Sequence, residues 1–286
     1  MKQVLLFSII IIFGYSAHSS EIFETAKESE SSYEALVESL QPGTVLVLGE
    51  VHDHPGHHSS HKRILDELLA QGKSFHVGME FFYWPDQELV DLYLYDEISE
   101  DDFLKQISWG QPESFPWYRP KVLLPLETGG KSFAINAPRA LTRSVARNGL
   151  ENLSPELQQL MPPNFEIGND HYLERFRQAV GGDHFPVDQL MNYFTAQSIW
   201  DETMAWKTLE SAEMNPGQDI FVIIVGDFHV AYGGGLPDRL LARGANNVVS
   251  VSHVDSSDLT EADKQEILSP HPEWGLRSEW IVFSER

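Results

Sequence analysis

The sequence contains no cysteine. That absence removes disulfides, thiolate metal sites and a lipid-anchored cysteine from consideration. Basic residues are scarce: 20 Lys and Arg stand against 43 Asp and Glu, a formal charge of -23. A surface of that sign repels phosphate backbones, so no nucleic-acid partner is expected, and the charge reads as a source of solubility. No apolar run reaches the ~20 residues of a comfortable transmembrane helix. Three catalytic signatures are also missing: the Gly-x-Ser-x-Gly elbow, the Walker lysine loop and the His-Glu-x-x-His helix. The triple glycine Gly233-Gly234-Gly235 lacks the fingerprint that would precede it in a dinucleotide site.

What is present begins with Lys2, an apolar run over residues 4–13, and the small residues Ala17 and Ser19. This is the pattern of a secretory signal peptide. Cleavage is expected after Ser19, leaving residues 20–286 as a periplasmic or secreted protein that does not span the membrane. With 42% hydrophobic and 11% aromatic residues, the chain can bury a sizeable core.

The pattern along the chain is strand, helix, strand. Residues 21–40 read as a leading helix. A strand over 44–48, a helix from Pro55 to about Ala70 and a strand over 73–81 make one right-handed βαβ unit. A helical stretch over 86–106 and an aromatic, proline-rich segment with Trp109, Trp117 and Tyr118 precede a strand over 131–136. Residues 140–212 read as a helical insertion, a lid broken at Pro162-Pro163 and Gly181-Gly182. Strands return at 219–225, 248–254 and 278–283, with a helix through Arg243. The expected fold class is α/β, a central mostly parallel sheet flanked by helices, with a helical insertion.

Two strand ends match. One runs into Gly49-Glu50-Val51-His52, the other into Gly226-Asp227-Phe228-His229. Ligands collect beyond the carboxyl ends of parallel strands. Two such ends aim two carboxylates and two imidazoles at one crevice. Glu80, ending a third strand, is costly to bury without a partner, and His52 or a cation would serve. His52, Glu80 and His229 are therefore candidate metal ligands for zinc, manganese or iron. Glu50 and Asp227 are candidate general bases should the site be hydrolytic. Five histidines fall within residues 52–61, and His54, His57, His58 and His61 are candidate cofactor ligands. Tyr232 is another, because tyrosinate ligates ferric haem. Arg139 is a candidate clamp for a carboxylate.

The ordered set of motifs resembles the ChaN-type haem-binding uptake proteins of the Tiki superfamily. It comprises Gly49-Glu50-Val51-His52 with His57-His58, Gly78-Met79-Glu80, Asn136-Ala137-Pro138-Arg139, Ala196-Gln197 with Trp200-Asp201 and Met204-Ala205, and Gly226-Asp227-Phe228-His229-Val230-Ala231-Tyr232-Gly233, extended by Gly235-Leu236-Pro237-Asp238-Arg239. The resemblance implies an exported α/β protein that takes up haem at a homodimer interface. Relatives of that family include metal-dependent proteases and erythromycin-esterase-like hydrolases. They place the two motif histidines and a glutamate at a metal or catalytic centre, which carries over to His52, His229 and Glu80. ChaN-type proteins are often lipoproteins, and the missing cysteine implies a form without that anchor. Two readings follow, haem capture for iron uptake and a hydrolase using a divalent metal, and both need the same convergent strand ends.

Overall fold

A computed structural model describes residues 20–286. The signal-peptide expectation for residues 1–19 lies outside the described residues. The strands are β1 (Ser20–Glu24), β2 (Ser29–Glu30), β3 (Thr44–Glu50), β4 (Phe75–Tyr83), β5 (Ser132–Asn136), β6 (Ile220–Gly226), β7 (Asn247–Asp255) and β8 (Trp280–Ser284). The helices are α1 (Tyr33–Ser39), α2 (Pro55–Ala70), α3 (Gln87–Leu94), α4 (Glu100–Gln106), α5 (Phe115–Leu123), α6 (Arg139–Asn148), α7 (Pro155–Gln158), α8 (Asp170–Ala179), α9 (Val187–Met214), α10 (Leu236–Ala242) and α11 (Glu261–Leu268). No helix among the described residues is long and apolar enough to cross a membrane.

The eight strands form one sheet in the order β2-β1-β8-β7-β3-β6-β4-β5. From β8 to β5 every pairing is parallel, and β1 and β2 add an antiparallel edge. β3 is central, paired with β6 on one side and β7 on the other. Its seven residues are all buried, as a strand covered by helices on both faces requires. Alternation along β3 and β6 divides the apolar side chains between two layers. Leu46, Leu48, Val222 and Ile224 join one cluster, beneath α2 and α5, and Val45, Val47, Ile223 and Val225 join the other, beneath α9 and α10.

The leading helix expected over residues 21–40 is instead β1 followed by the short α1. Pairing with β8 overrides the local helical preference of its glutamates. α2 begins at Pro55, where the His54 side chain accepts the His57 N–H as N-cap. All four helices between β5 and β6 lie over the second face of the sheet or its end. The longest, α9, packs on α6, α10 and β5.

Candidate functional site

The carboxyl ends of β3, β4, β5 and β6 meet at one end of the sheet. There they frame an open cleft of about 790 Å³, lined by His52, Glu80, Phe81, Trp109, Tyr118, Arg139 and Trp200, among others. That volume is in the range of small-molecule and cofactor sites, roughly 300–1,000 Å³. Its walls come from β4, the loop before α5, and α9.

The first motif ends beside this cleft. Glu50 is buried to 2% exposure and is the hub of a network. The Tyr118 hydroxyl donates to it at 2.7 Å, His52 Nδ1 lies at 3.2 Å, His61 Nδ1 at 3.3 Å and Lys121 Nζ at 3.5 Å. Burial alone would push the Glu50 carboxyl up, but the Lys121 charge and the hydrogen bonds from His52 and His61 hold it well below the usual range. The His52 side chain is 48% exposed and rests edge-on against Phe81. Burial lowers its pKa, yet the hydrogen bond to Glu50 and the Glu80 charge win and raise it. Lys121 is fully buried and pushed down to about 8 by that burial, against the pull of Glu50. Its ammonium donates to His58 Nδ1 at 2.6 Å.

The second motif is arranged differently. His229 is 6% exposed and lies between two carboxylates, with Asp201 Oδ1 at 2.6 Å from Nδ1 and Glu80 Oε1 at 3.5 Å from Nε2. Burial opposes its charged form, but the Asp201 and Glu80 charges outweigh that and raise it to about 10. Glu80 accepts the Gly226 N–H at 2.6 Å and lines the cleft in front of His229. Asp227 pairs with Arg277.

Each expectation can now be placed. His52, Glu80 and Arg139 reach the same cleft, and His229 stands behind Glu80. A Cβ on Gly226 would sit 3.4 Å from His52 Nε2 and 3.6 Å from Glu80 Oε2, so the three groups of the expected metal triad are neighbours. They are engaged in acid–base hydrogen bonds, and no group of three or more His, Asp or Glu side chains among the described residues has the geometry to hold a metal ion. Glu50, the candidate general base, is enclosed by its partners and holds His52 Nδ1 by a hydrogen bond. Asp227 is likewise committed to Arg277. His54, His57, His58 and His61, the candidate cofactor ligands, do not line this cleft. They are 0%, 0%, 5% and 0% exposed, packed under β7 and α5 because Pro55 turns the first turn of α2 inward.

Tyr232 stands apart, on a shelf beyond β6. It has φ +59°, rare for a bulky residue. Its N–H donates to the Arg277 carbonyl at 2.6 Å, which fixes the turn. Its ring meets His271 at 5.9 Å and Trp274 at 5.4 Å, and the Arg277 guanidinium lies 5.4 Å from its centre. His271 stacks on Trp274 at 4.1 Å, and its Nδ1 accepts the N–H groups of Glu273 and Trp274. Nearby Leu241 and Leu276 are 53% and 39% exposed. Arg139, at the mouth of the cleft, has no hydrogen bond or ion pair among the described residues.

Lys121, Asp201, His253, His271 and Arg277 were not anticipated as part of any site. A lysine amid the apolar stretch Val122-Leu123-Leu124 and an aspartate inside the apolar face of a long helix are the signals that were available, because each is expensive to bury without a partner.

A sequence model of haem-binding uptake proteins, ChaN, in the Tiki superfamily matches residues 36–240. No curated protein matches the chain. Among solved structures, ChaN of Campylobacter jejuni, described as binding haem cofacially, superposes with a TM-score of 0.65 at 15% identity, covering 93% of this chain and 97% of that one. The type III effector HopBA1 follows with 0.48 at 14% identity, covering 88% and 93%. An erythromycin esterase mutant, EreC H289N, gives 0.43 at 13%, covering 88% and 77%. The first of these likenesses establishes the α/β fold.

Proposed function

Because the chain belongs to the ChaN family of haem-binding uptake proteins in the Tiki superfamily, we propose that it is an exported protein that captures ferric haem for iron uptake, with Tyr232 as the iron ligand. The observation that carries this reading is the shelf. A tyrosine is held in a strained turn between an imidazole, an indole and a guanidinium, with exposed leucines beside it. Backbone strain of this kind persists where the surroundings over-determine it, and it marks functional positions.

The donor chemistry fits haem. A phenolate is one of the few protein ligands of ferric haem, Arg277 meets a propionate, and Trp274 with Leu276 offers an apolar plate. Haem, when bound, supplies the ferric iron that the pathway delivers. This chain's part is to bind and orient it and to exclude water from one face. The exposed leucines suit a second copy closing over the other face, which supports a homodimer. The basic start, apolar run and small residues of residues 1–19 support export to the periplasm or beyond.

The cleft is the second candidate for the haem, since His52 offers an imidazole whose Nδ1 is occupied by Glu50, and Arg139 offers a free cation. Against it stand Asp53, Glu80 and Asp86 on the same walls, which repel propionates. Titration of purified protein with ferric haem separates the two. Wild type is expected to develop a Soret band, and Tyr232→Phe to shift it and weaken binding while His52→Ala leaves both unchanged. The reverse pattern moves the haem to the cleft, and no haem binding by wild type removes the proposal. Sequencing of the exported protein is expected to start near Ser20, and dimerisation is expected to depend on haem in analytical ultracentrifugation.

A further inference from the structure

The histidines that do not face the cleft form a layer of their own. His57 and His61 of α2 pack against His253 of β7, and His58 beside them lies against Trp117 and Tyr118 of α5, all four histidines within 5% of full burial. The His61 ring meets His253 edge-on at 4.4 Å, His57 lies 5.6 Å from His253, and His54 stacks on His57 at 3.8 Å. Such a layer is not ordinary apolar packing, because every imidazole brings two polar nitrogens.

Few of those nitrogens have somewhere to put a second proton. His57 Nδ1 accepts the Val51 N–H at 2.9 Å, so its proton is on Nε2, and that atom has no hydrogen bond among the described residues. His58 Nδ1 is taken by Lys121, and its Nε2 is likewise unpartnered. Neither ring nitrogen of His253 makes a hydrogen bond of good geometry. His61 alone faces acceptors on both sides, Glu50 and the Gly49 carbonyl.

The charges around the layer come from every element packed on it. β3 brings Glu50, α5 brings Lys121 with the Tyr118 phenol, and β7 brings Asp255, which lies 3.3 Å from His54 Nε2 and also pairs with Arg286. Glu50 is balanced by Lys121, and Asp255 is at the far edge against His54. No carboxylate is placed to receive a protonated His57 or His253.

We propose that this histidine layer is an acid-sensitive latch: it holds the first turn of α2 against β7 only while His57 and His253 are neutral, and mild acid releases α2 together with the strand end beside it. The latch acts whether or not haem is the ligand, and it would regulate any ligand held beside His52. Burial, then neighbouring histidines, push His57 down to about 3 and hold His253 well below its ordinary value. The sign follows. Between the ordinary value near 6.5 and the depressed folded values, the unfolded chain binds protons that the folded layer refuses. Stability is therefore intact above about pH 6.5 and is lost as the pH falls below it.

The test is urea unfolding of the whole protein between pH 7.5 and 5, together with hydrogen exchange of α2. Each excluded proton makes the unfolding constant rise about tenfold per pH unit below 6.5, so His57 and His253 each contribute about a tenfold share of the slope, to which the buried His58 adds. His253→Phe, which keeps the ring and loses the nitrogens, is expected to remove about a tenfold share of that slope. Amides of residues 56–61 are expected to lose protection at pH 5 before the rest of the sheet does. Should His253→Phe fail to fold, imidazole nitrogen NMR of the wild type decides. His57 and His253 staying neutral for as long as α2 keeps its protection, and protonating with its release, supports the latch, and either one titrating near 6.5 while α2 stays protected overturns it. A slope unchanged in a folded His253→Phe also overturns it.

Discussion

The two Gly-acid-x-His strand ends start from nearly the same residues and finish with opposite roles. At β3 the acid goes inward and the imidazole outward: Glu50 is buried among Lys121, Tyr118 and His61, and His52 is half exposed in the cleft. At β6 the histidine goes inward, locked between Asp201 and Glu80, and the acid turns sideways to Arg277. β3 and β6 are in register, with Glu50 opposite Gly226, so the second motif runs one step further along the sheet. After Gly226 the chain enters a short helical turn, whereas after Glu50 it makes a tight turn at His52-Asp53, with Asp53 at φ +64° and the His54 N–H donating to the Val51 carbonyl at 3.3 Å. A one-residue offset at the end of a strand changes which face a side chain meets. The lesson is that a motif specifies residue types, and its register against its neighbour decides their use.

That contrast can be broken by mutation, and the largest effect is expected at the inward histidine. Asp201→Asn leaves a buried charged His229 without its closest partner, and a loss of about 3–5 kcal/mol is expected in urea unfolding. His52→Ala, on the outward side, is expected to cost under about 1 kcal/mol in the same measurement. Equal losses would erase the distinction between the two ends. Next comes Gly49→Ala, because a Cβ there would lie 2.5 Å from Asp227 Oδ1, where the two motifs touch. Overpacking of this sort costs roughly 1–3 kcal/mol, and a crystal structure of the variant is expected to show the Asp227–Arg277 pair displaced.

The pH dependence sharpens the same comparison. His229 is raised to about 10 in the folded protein, against 6.5 for a free imidazole. Its contribution is complete below about pH 6.5 and is lost as the pH rises toward 10, at up to about 1.4 kcal/mol per pH unit. Urea midpoints at pH 7.5 and 9 are expected to fall accordingly in wild type, and Asp201→Asn is expected to flatten that fall. The smallest effect on stability belongs to the shelf. Tyr232→Phe keeps the ring against Trp274 and is expected to alter unfolding by no more than ~0.5 kcal/mol, even as it alters haem binding.

Much of the sheet was legible because its central strands are bare apolar runs, and α2 because Pro55 announces its first turn. The edge was not: residues 20–24 carry too little apolar alternation to be read as a strand until β8 is beside them. The candidate site divides in the same way. Glu80, His52 and Arg139 could be named because they sit at strand ends or helix starts that the apolar runs already locate. His229's partner Asp201 and the hub residue Lys121 could not, since each is brought in by helix packing from far along the chain. The cluster over residues 54–61 reads in the sequence as a set of candidate cofactor ligands, because imidazole is a common metal ligand. In the fold the helix turns those rings under β7, against His253.

The pairing of β1 with β8 has a consequence for the order of assembly. Ser20 aligns with Ser284 and Glu24 with Trp280, so the first described strand finds its only long neighbour at the far end of the chain. Closing a loop of that length is entropically slow, and contacts of such separation form late in folding. Until β8 is in place, β1 has no template and β7 keeps an open parallel edge. A chain with these strands held apart is therefore kept from sealing its sheet, and the seal follows when β1 and β8 meet.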